Sequence, residues 1–318
     1  MTSLAEECDV AVAGSGIAGL SAALACARLG WKTLLLTGDG LGGQLLSIAR
    51  IDGYPGFPEG IPGYELCPMV QEQAAACGVA FAATTVERLA AADGRWHIAA
   101  GDGGDHVARA VIVATGAGLK TLDVPGAARL AGKGVSHCAS CDAPLLRDRV
   151  AAVVGGGDSA AQEALTLAEA ARRVIVLHRG AALSAQAAYR DLVLAHPKIE
   201  LRPRSVVEEI LGEASVTGLR VRDRATGAVT VVASAAVFVY IGLAPNTAFL
   251  DGVVACDAAG RIVTDPSLRS ARPGLCAAGA VRSGWGGRAV ISAGEGTAAA
   301  IAVDRYLRDG VWMEAAHG

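Results

Sequence analysis

Cys138 and Cys141, separated by two residues, are the side chains best suited to do chemistry in this chain. His137 precedes them and Asp142 follows directly. The reactive form of such a pair is the thiolate, which attacks a disulfide or another electrophile. Pro144 suits a first helical turn, so the pair is expected near a helix start, where the dipole favours a thiolate. Asp142 can exchange a proton with a thiol if burial raises its pKa; its ordinary alternative is a helix cap. His137 could assist, or could be a solvated neighbour. A zinc site of four thiolates needs a second C-x-x-C, and the chain has none, so no metal is expected. The other six cysteines (Cys8, Cys26, Cys67, Cys77, Cys256 and Cys276) lie among apolar neighbours and read as small core residues.

Two segments of one design can position such a pair. The first runs from Cys8 through Gly14-Ser-Gly16-Ile-Ala-Gly19 and an Ala/Leu helix to Leu29, then Thr33–Thr37. The second runs from Val150 through Gly155-Gly-Gly157-Asp-Ser-Ala160 and a helix to Ala171, then Val174–His178. Each reads strand, glycine turn, helix, strand. This is the dinucleotide fingerprint, in which glycines let the backbone approach a pyrophosphate at a helix N-terminus. Glycine turns also occur without a ligand, but two in one chain, each between apolar strands, point to at least one bound dinucleotide. Val111–Gly116 and Gly274–Gly279 read as further short strands ending in turns. A helix from about Arg288 to Leu307 carries small residues on one face (Ala293, Gly294, Gly296 and Ala298).

Composition agrees with this organisation. At about 150 residues per domain, 318 residues suggest two domains. Hydrophobic residues make up 52% and charged residues 19%, which excludes a disordered chain. The net charge is −3 with no basic run, so neither nucleic acid nor an acidic membrane is an expected partner. Ala225–Leu250 is uncharged, but its valines, glycines and Pro245 fit two buried strands and a turn rather than a membrane helix. The start, Met1–Asp9, is acidic and lacks the apolar stretch of an export signal, so a cytoplasmic protein is expected.

At this point the sequence resembles the low-molecular-weight thioredoxin reductases, FAD-dependent disulfide oxidoreductases. The resemblance is carried by Gly14–Gly19, Gly42-Gly-Gln44-Leu45, Tyr54–Gly60 and Ala114-Thr-Gly116. It continues through Cys138-Ala-Ser-Cys141-Asp142, Gly155–Ala160, Ala277-Ala-Gly279 and Ser292–Gly296. It implies an α/β fold of two Rossmann-like dinucleotide-binding domains, the second inserted into the first. Residues 1–117 with 245–318 would bind FAD, and residues 118–244 would bind pyridine nucleotide and carry the dithiol. It implies a homodimer, with Cys141 facing the flavin, Cys138 exchanging with substrate and Asp142 moving the proton. FAD would meet Gly14, Ser15, Gly16, Ala18, Gly19, Gly42, Gly43, Gln44, Val86, Ala114, Thr115, Gly116, Gly279, Ala280, Arg288 and Ala289. NADP(H) would meet Gly155, Gly157, Ser159, Ala160 and Arg179, and its use is left open.

The departures from the family pattern shape the functional expectation. Members that use NADPH hold its 2′-phosphate with His-Arg-Arg and a further Arg; here the chain reads His178-Arg179-Gly180-Ala-Ala-Leu-Ser184. Two lost charged hydrogen bonds, each about 1.5–3 kcal/mol, would weaken NADPH by about 100-fold or more. No acidic residue stands in the matching place for NAD. The family's Gly-Asp is Gly279-Ala280, its Arg-Gln-Ala is Arg288-Ala289-Val290, and an Asn is Gly53. The residues after the dithiol, Ala143-Pro-Leu-Leu146, replace the family's glycine and aromatics. The expectation placed first is therefore a dithiol oxidase, resembling those that close disulfides in gliotoxin, holomycin and romidepsin. Its substrate would be a small dithiol, and oxygen or NADP would accept electrons through FAD. The alternatives are an NADPH-dependent thioredoxin reductase, a ferredoxin-linked reductase, and a redox-dead relative.

Overall fold

Apolar runs such as Val10-Ala-Val-Ala13 and Val111-Ile-Val113 have no polar face, so they are stable only as strands covered on both sides. In the computed structural model, which describes residues 6–312, they pair with each other as the parallel centre of one mixed sheet. Most of the acidic start read above, Met1–Ala5, lies outside the described residues. The chain divides into two units, Met1–Gly118 with Ala244–Gly318, and Leu119–Leu243.

The first unit holds β1 (Glu6–Ala13), α1 (Ile17–Arg28), β2 (Thr33–Leu36), α2 (Gly63–Ala76), β3 (Ala80–Ala82), β4 (Val86–Ala92), β5 (Arg95–Ala100) and β6 (Asp105–Val113). Strand β7 (Ala117–Leu119) follows, and in the chain's last segment come β16 (Leu243–Pro245), β17 (Leu275–Ala277) and α6 (Ala289–Asp309). The main sheet has the order β3-β2-β1-β6-β5-β4. Strand β6 pairs with β1 along one edge and serves two partners in sequence along the other. Its first half pairs antiparallel with β5 and its last three residues pair parallel with β17. Helices α1 and α6 cover one face of this sheet with Ala18, Ala22, Cys26, Ala299, Ala300 and Val303.

The second unit is a five-stranded parallel sheet, β11-β10-β9-β15-β8. Its elements are β8 (Val135–Ser136), α3 (Ala139–Asp142), β9 (Val150–Val154), α4 (Asp158–Ala170), β10 (Arg173–Leu177), α5 (Ala187–Ala195), β11 (Ile199–Arg202) and β15 (Ala236–Val239). A separate antiparallel meander is formed by β12 (Ser205–Leu211), β13 (Gly218–Asp223) and β14 (Val229–Ala233). Both sheets are of Rossmann type. Among the described residues, no helix is long and apolar enough to cross a membrane.

Three local expectations are corrected. The uncharged stretch forms three strands, β14, β15 and β16, rather than two buried ones, and β14 exposes Val229 and Val231 at 45% and 66%, because the meander has an open face. Of the small residues on α6, Gly294 and Ala298 are exposed and Gly296 faces the core. Cys77 and Cys256 are exposed rather than buried.

Gly296 is required by contact rather than by conformation. A Cβ there would lie 2.1 Å from the Ala18 carbonyl oxygen on α1, inside any permitted distance. Gly296→Ala is therefore expected to lower the unfolding free energy by about 1–3 kcal/mol or more, read by urea denaturation. Gly294→Ala, where a Cβ meets nothing within 4 Å, should leave it unchanged or raise it slightly.

Candidate functional site

In the first unit, β1 ends at Ala13 and the chain turns through Gly14 at φ +102° before α1 begins. A Cβ at Gly14 would lie 2.5 Å from the Ala114 carbonyl oxygen, and one at Gly19 would lie 1.7 Å from that of Gly14. Gly16 caps α1 without a side-chain hydrogen bond, and beyond it is open space. The first N–H groups of α1 are thus presented to a ligand, as a pyrophosphate requires. Ser15 is used internally: its hydroxyl bonds the Thr37 carbonyl at 2.8 Å.

The other expected FAD residues of this unit gather around that turn. Gly42 N–H donates to the Ser15 carbonyl at 3.0 Å, bringing Gly43 and Gln44 alongside. Ala114, Thr115 and Gly116 follow β6, with Thr115 held by reciprocal hydrogen bonds to Asn246. Gly279 packs on Ala18, and a Cβ there would lie 2.9 Å from that of Ala18. Ala280 follows Gly279 in the same short 3-10 turn, and Arg288 and Ala289 open α6. Val86 opens β4 directly after Thr85 and pairs with Ala100.

Two features were missed in the sequence. A cavity of about 460 Å³ opens at the end of β2, lined by Thr37, Gly38, Asp39, Gly40, Thr84 and Asp102 among others. Asp39 lies about 20 residues past the glycine fingerprint, where an acid binds a ribose hydroxyl, and that spacing was a usable signal. The cradle of open glycines and this cavity suit a dinucleotide such as FAD. The second feature is a buried ion pair beside Ala280. Glu295 accepts the Gly279 N–H at 2.7 Å and pairs with Arg282. It pins the turn where the family's Asp is missing, and its members lie 13 residues apart, so sequence spacing does not reveal it.

In the second unit, Cys138 and Cys141 form a disulfide with their Cα atoms 5.4 Å apart. The helix carrying them, α3, has only four residues, and Pro144 lies in a separate 3-10 turn, Ala143–Leu146. The expected helix start is therefore shorter than read, because Asp142 already sits at its end. Cys138 caps α3: its Sγ accepts the Cys141 N–H at 3.3 Å and lies 3.5 Å from the Ser140 hydroxyl. These contacts favour a thiolate on Cys138. Asp142 is half-buried and makes no side-chain cap of the following turn, so the ordinary capping role is not what holds it. His137 is half-buried, with Nδ1 3.0 Å from the Val239 carbonyl. A carbonyl only accepts, so Nδ1 is the donor in this contact.

Behind the dithiol lies a carboxyl that the sequence did not reveal. Glu163 on α4 is buried and accepts a hydrogen bond from the Ala139 N–H, between the two cysteines. Burial pushes its pKa up to about 7, against the lowering effect of that bond. The Tyr240 hydroxyl faces the same amide without completing a hydrogen bond to a described group. Burial and the Glu163 charge both hold this phenol far above its ordinary pKa. By contrast, burial raises the thiols of Cys26 and Cys67 to about 12 and about 11, which keeps them unreactive.

The second glycine turn is built like the first. Gly155 stands at φ +146°, and a Cβ there would lie 2.2 Å from the Tyr240 carbonyl oxygen. Gly157 caps α4, whose first turn holds Ser159 and Ala160. Asp158, also in that turn, is occupied by the N–H and side chain of Gln186. Arg179 follows β10 on the exposed loop that returns to this turn: Ser184 N–H donates to the Gly156 carbonyl at 2.8 Å.

Comparison with known proteins agrees with this geometry. The pyridine nucleotide-disulphide oxidoreductase family matches residues 8–301. The thioredoxin reductase of Treponema pallidum (strain Nichols) is 36% identical over 299 residues, covering 94% of this chain and 97% of its own. That of Mycolicibacterium smegmatis is 37% identical over 302 residues, covering 95% and 97%. The crystal structure of Lactococcus lactis thioredoxin reductase superposes with a TM-score of 0.92 at 34% identity, covering 95% and 99%. These relatives favour the reductase alternative over the dithiol oxidase expected first.

Glu163 generates a test. Its folded pKa, about 7, lies above the usual 4.5, so the native state retains a proton that the unfolded chain releases in between. Stability contributed by the protonated carboxyl is present below about pH 4.5 and is lost as pH rises to about 7. Relative to Glu163→Gln, the oxidised wild-type protein should lose unfolding free energy on the order of 3 kcal/mol across that window. Parallel urea titrations at several pH values check this, and coincident pH profiles would exclude it.

Proposed function

The chain belongs to the pyridine nucleotide-disulphide oxidoreductase family, and from that premise we propose that it is an NADPH-dependent thioredoxin reductase. It is an FAD-dependent disulfide oxidoreductase of thioredoxin reductase type; the donor and the substrate are the proposal. The observation that carries the reading is the Cys138–Cys141 disulfide in the same unit as the second glycine turn.

The overall reaction takes NADPH, a proton and oxidised thioredoxin to NADP⁺ and reduced thioredoxin. A bound FAD would supply the two-electron link between nicotinamide and the disulfide. Gly14, Gly16 and the first turn of α1 would hold its pyrophosphate, and Asp39 a ribose hydroxyl. Once reduced, Cys138 attacks the substrate disulfide as a thiolate, favoured by the Cys141 N–H. One substrate sulfur leaves, and Asp142 supplies its proton. Cys141 then gives its proton to Asp142 and attacks the Cys138 sulfur, which breaks the mixed disulfide, restores the Cys138–Cys141 bond and releases the second substrate sulfur, which takes that proton from Asp142. The protein acts in the cytoplasm as a homodimer.

A dithiol oxidase of small molecules is the second reading, favoured by the missing arginines at positions 180 and 184. Anaerobic mixing separates the two. NADPH is expected to bleach the flavin absorbance within one turnover, and a small dithiol alone is not. Bleaching by the dithiol only, with colour and peroxide returning in air, would reverse the assignment. Cys138→Ser and Cys141→Ser should each abolish thioredoxin reduction, by a factor of about 10³ or more, while NADPH still bleaches the flavin.

A further inference from the structure

The chain after β10 retains one arginine, Arg179, where the family pattern has three. The fold brings two others to it from distant segments. Arg204 lies in the turn between β11 and β12, at φ +53°. Its N–H donates to the Gly180 carbonyl at 2.9 Å, and the next N–H, of Ser205, donates to the His178 carbonyl at 2.9 Å. Arg224 follows β13. Its N–H donates to the Arg204 carbonyl at 2.7 Å, and its Nη1 donates to the Arg179 carbonyl at 3.2 Å. Three exposed arginines from three connections are thus held by hydrogen bonds of their backbones at one end of β10, with the Arg224 guanidinium itself resting on the Arg179 carbonyl.

The place matters as much as the charge. In a Rossmann unit whose pyrophosphate sits at the first helix, the adenosine 2′ position lies at the end of the second strand. Here that helix is α4 and that strand is β10. The loop bearing Arg179 is fastened to the glycine turn through Ser184, whose N–H and hydroxyl both meet the Gly156 carbonyl. Among the described residues, none of the three arginines lies within ion-pair distance of a carboxylate, although Arg204 is close enough to Asp223 to help lower its pKa. The nearby Asp223 has its carboxylate turned to the N–H groups of Ala225 and Thr226. Guanidinium groups match phosphate by paired N–H donors, and a rigidly fastened one loses less freedom on binding.

We propose that Arg204 and Arg224, together with Arg179, form the 2′-phosphate site of this chain, replacing the arginines absent at 180 and 184. The ligand is a 2′-phosphorylated adenine dinucleotide. The inference rests on the NADPH-dependent reading above and adds which residues select that donor.

The test uses the FAD-loaded holoenzyme with two readouts. One is binding of 2′,5′-ADP against 5′-AMP, which isolates the phosphate. The other is flavin reduction by NADPH against NADH. Arg204→Ala and Arg224→Ala are each expected to weaken 2′,5′-ADP binding and raise the KM for NADPH about tenfold. Binding of 5′-AMP and the KM for NADH should not move. Arg220→Ala, which removes an exposed arginine paired with Glu209 on the same meander, should change neither. Arg224→Lys should restore part of the loss. The inference is overturned if the substitutions shift NADPH and NADH together, shift neither, or if wild-type protein binds the two fragments equally. If neither nicotinamide bleaches the wild-type flavin, the reductase reading fails instead. In that case, selective 2′,5′-ADP binding lost in the variants would still uphold the phosphate site.

Discussion

The first unit depends on how closely α1 approaches the turn that leads into it. A single methyl group at residue 19 would sit 1.7 Å from the Gly14 carbonyl oxygen, so only glycine allows the approach. With it, the first N–H groups of α1 face outward at the sheet edge. The 42–44 loop, the Ala114–Gly116 turn and Gly279 then close around them. The same economy of volume continues along the helix, where α6 lies against α1 through Gly296 and alanines. Small side chains bury little area each, but they let two helices meet at close range, where many weak contacts accumulate.

The second unit reaches the same result through a different partner. There the close contact is between Gly155 and the carbonyl of Tyr240. Tyr240 also packs in the same buried cluster as Ala139, with its hydroxyl in reach of the Ala139 amide and of Glu163. One residue therefore touches both the nucleotide turn and the cysteine helix of this unit. A carboxyl and a phenol buried beneath a redox pair set the electrostatics that the thiolate must meet, because repulsion is weakly screened where water is excluded.

Environment separates the eight cysteines by reactivity. Cys26, Cys67 and Cys276 are buried among apolar groups, and burial keeps their thiols protonated. Cys138 instead receives an N–H and lies close to a hydroxyl. The apolar neighbours of Cys77 and Cys256 in the chain suggested burial, yet both are exposed. Local composition does not report which way a side chain points from a turn.

Glycine spacing and apolar runs were enough to determine two strand–turn–helix units, because steric exclusion at Gly14, Gly19 and Gly155 acts between residues near in sequence or in adjoining strands. The C-x-x-C pair was equally legible, since its bond closes over three residues. Contacts between distant segments were not. The Arg282–Glu295 pair, Glu163 beneath Ala139, and Arg204 and Arg224 beside Arg179 each join separate elements. The sequence alone showed arginines missing after β10. The tertiary structure decided that others stand there, because parallel pairing of β10 with β11 and the return of the meander bring their turns to one end.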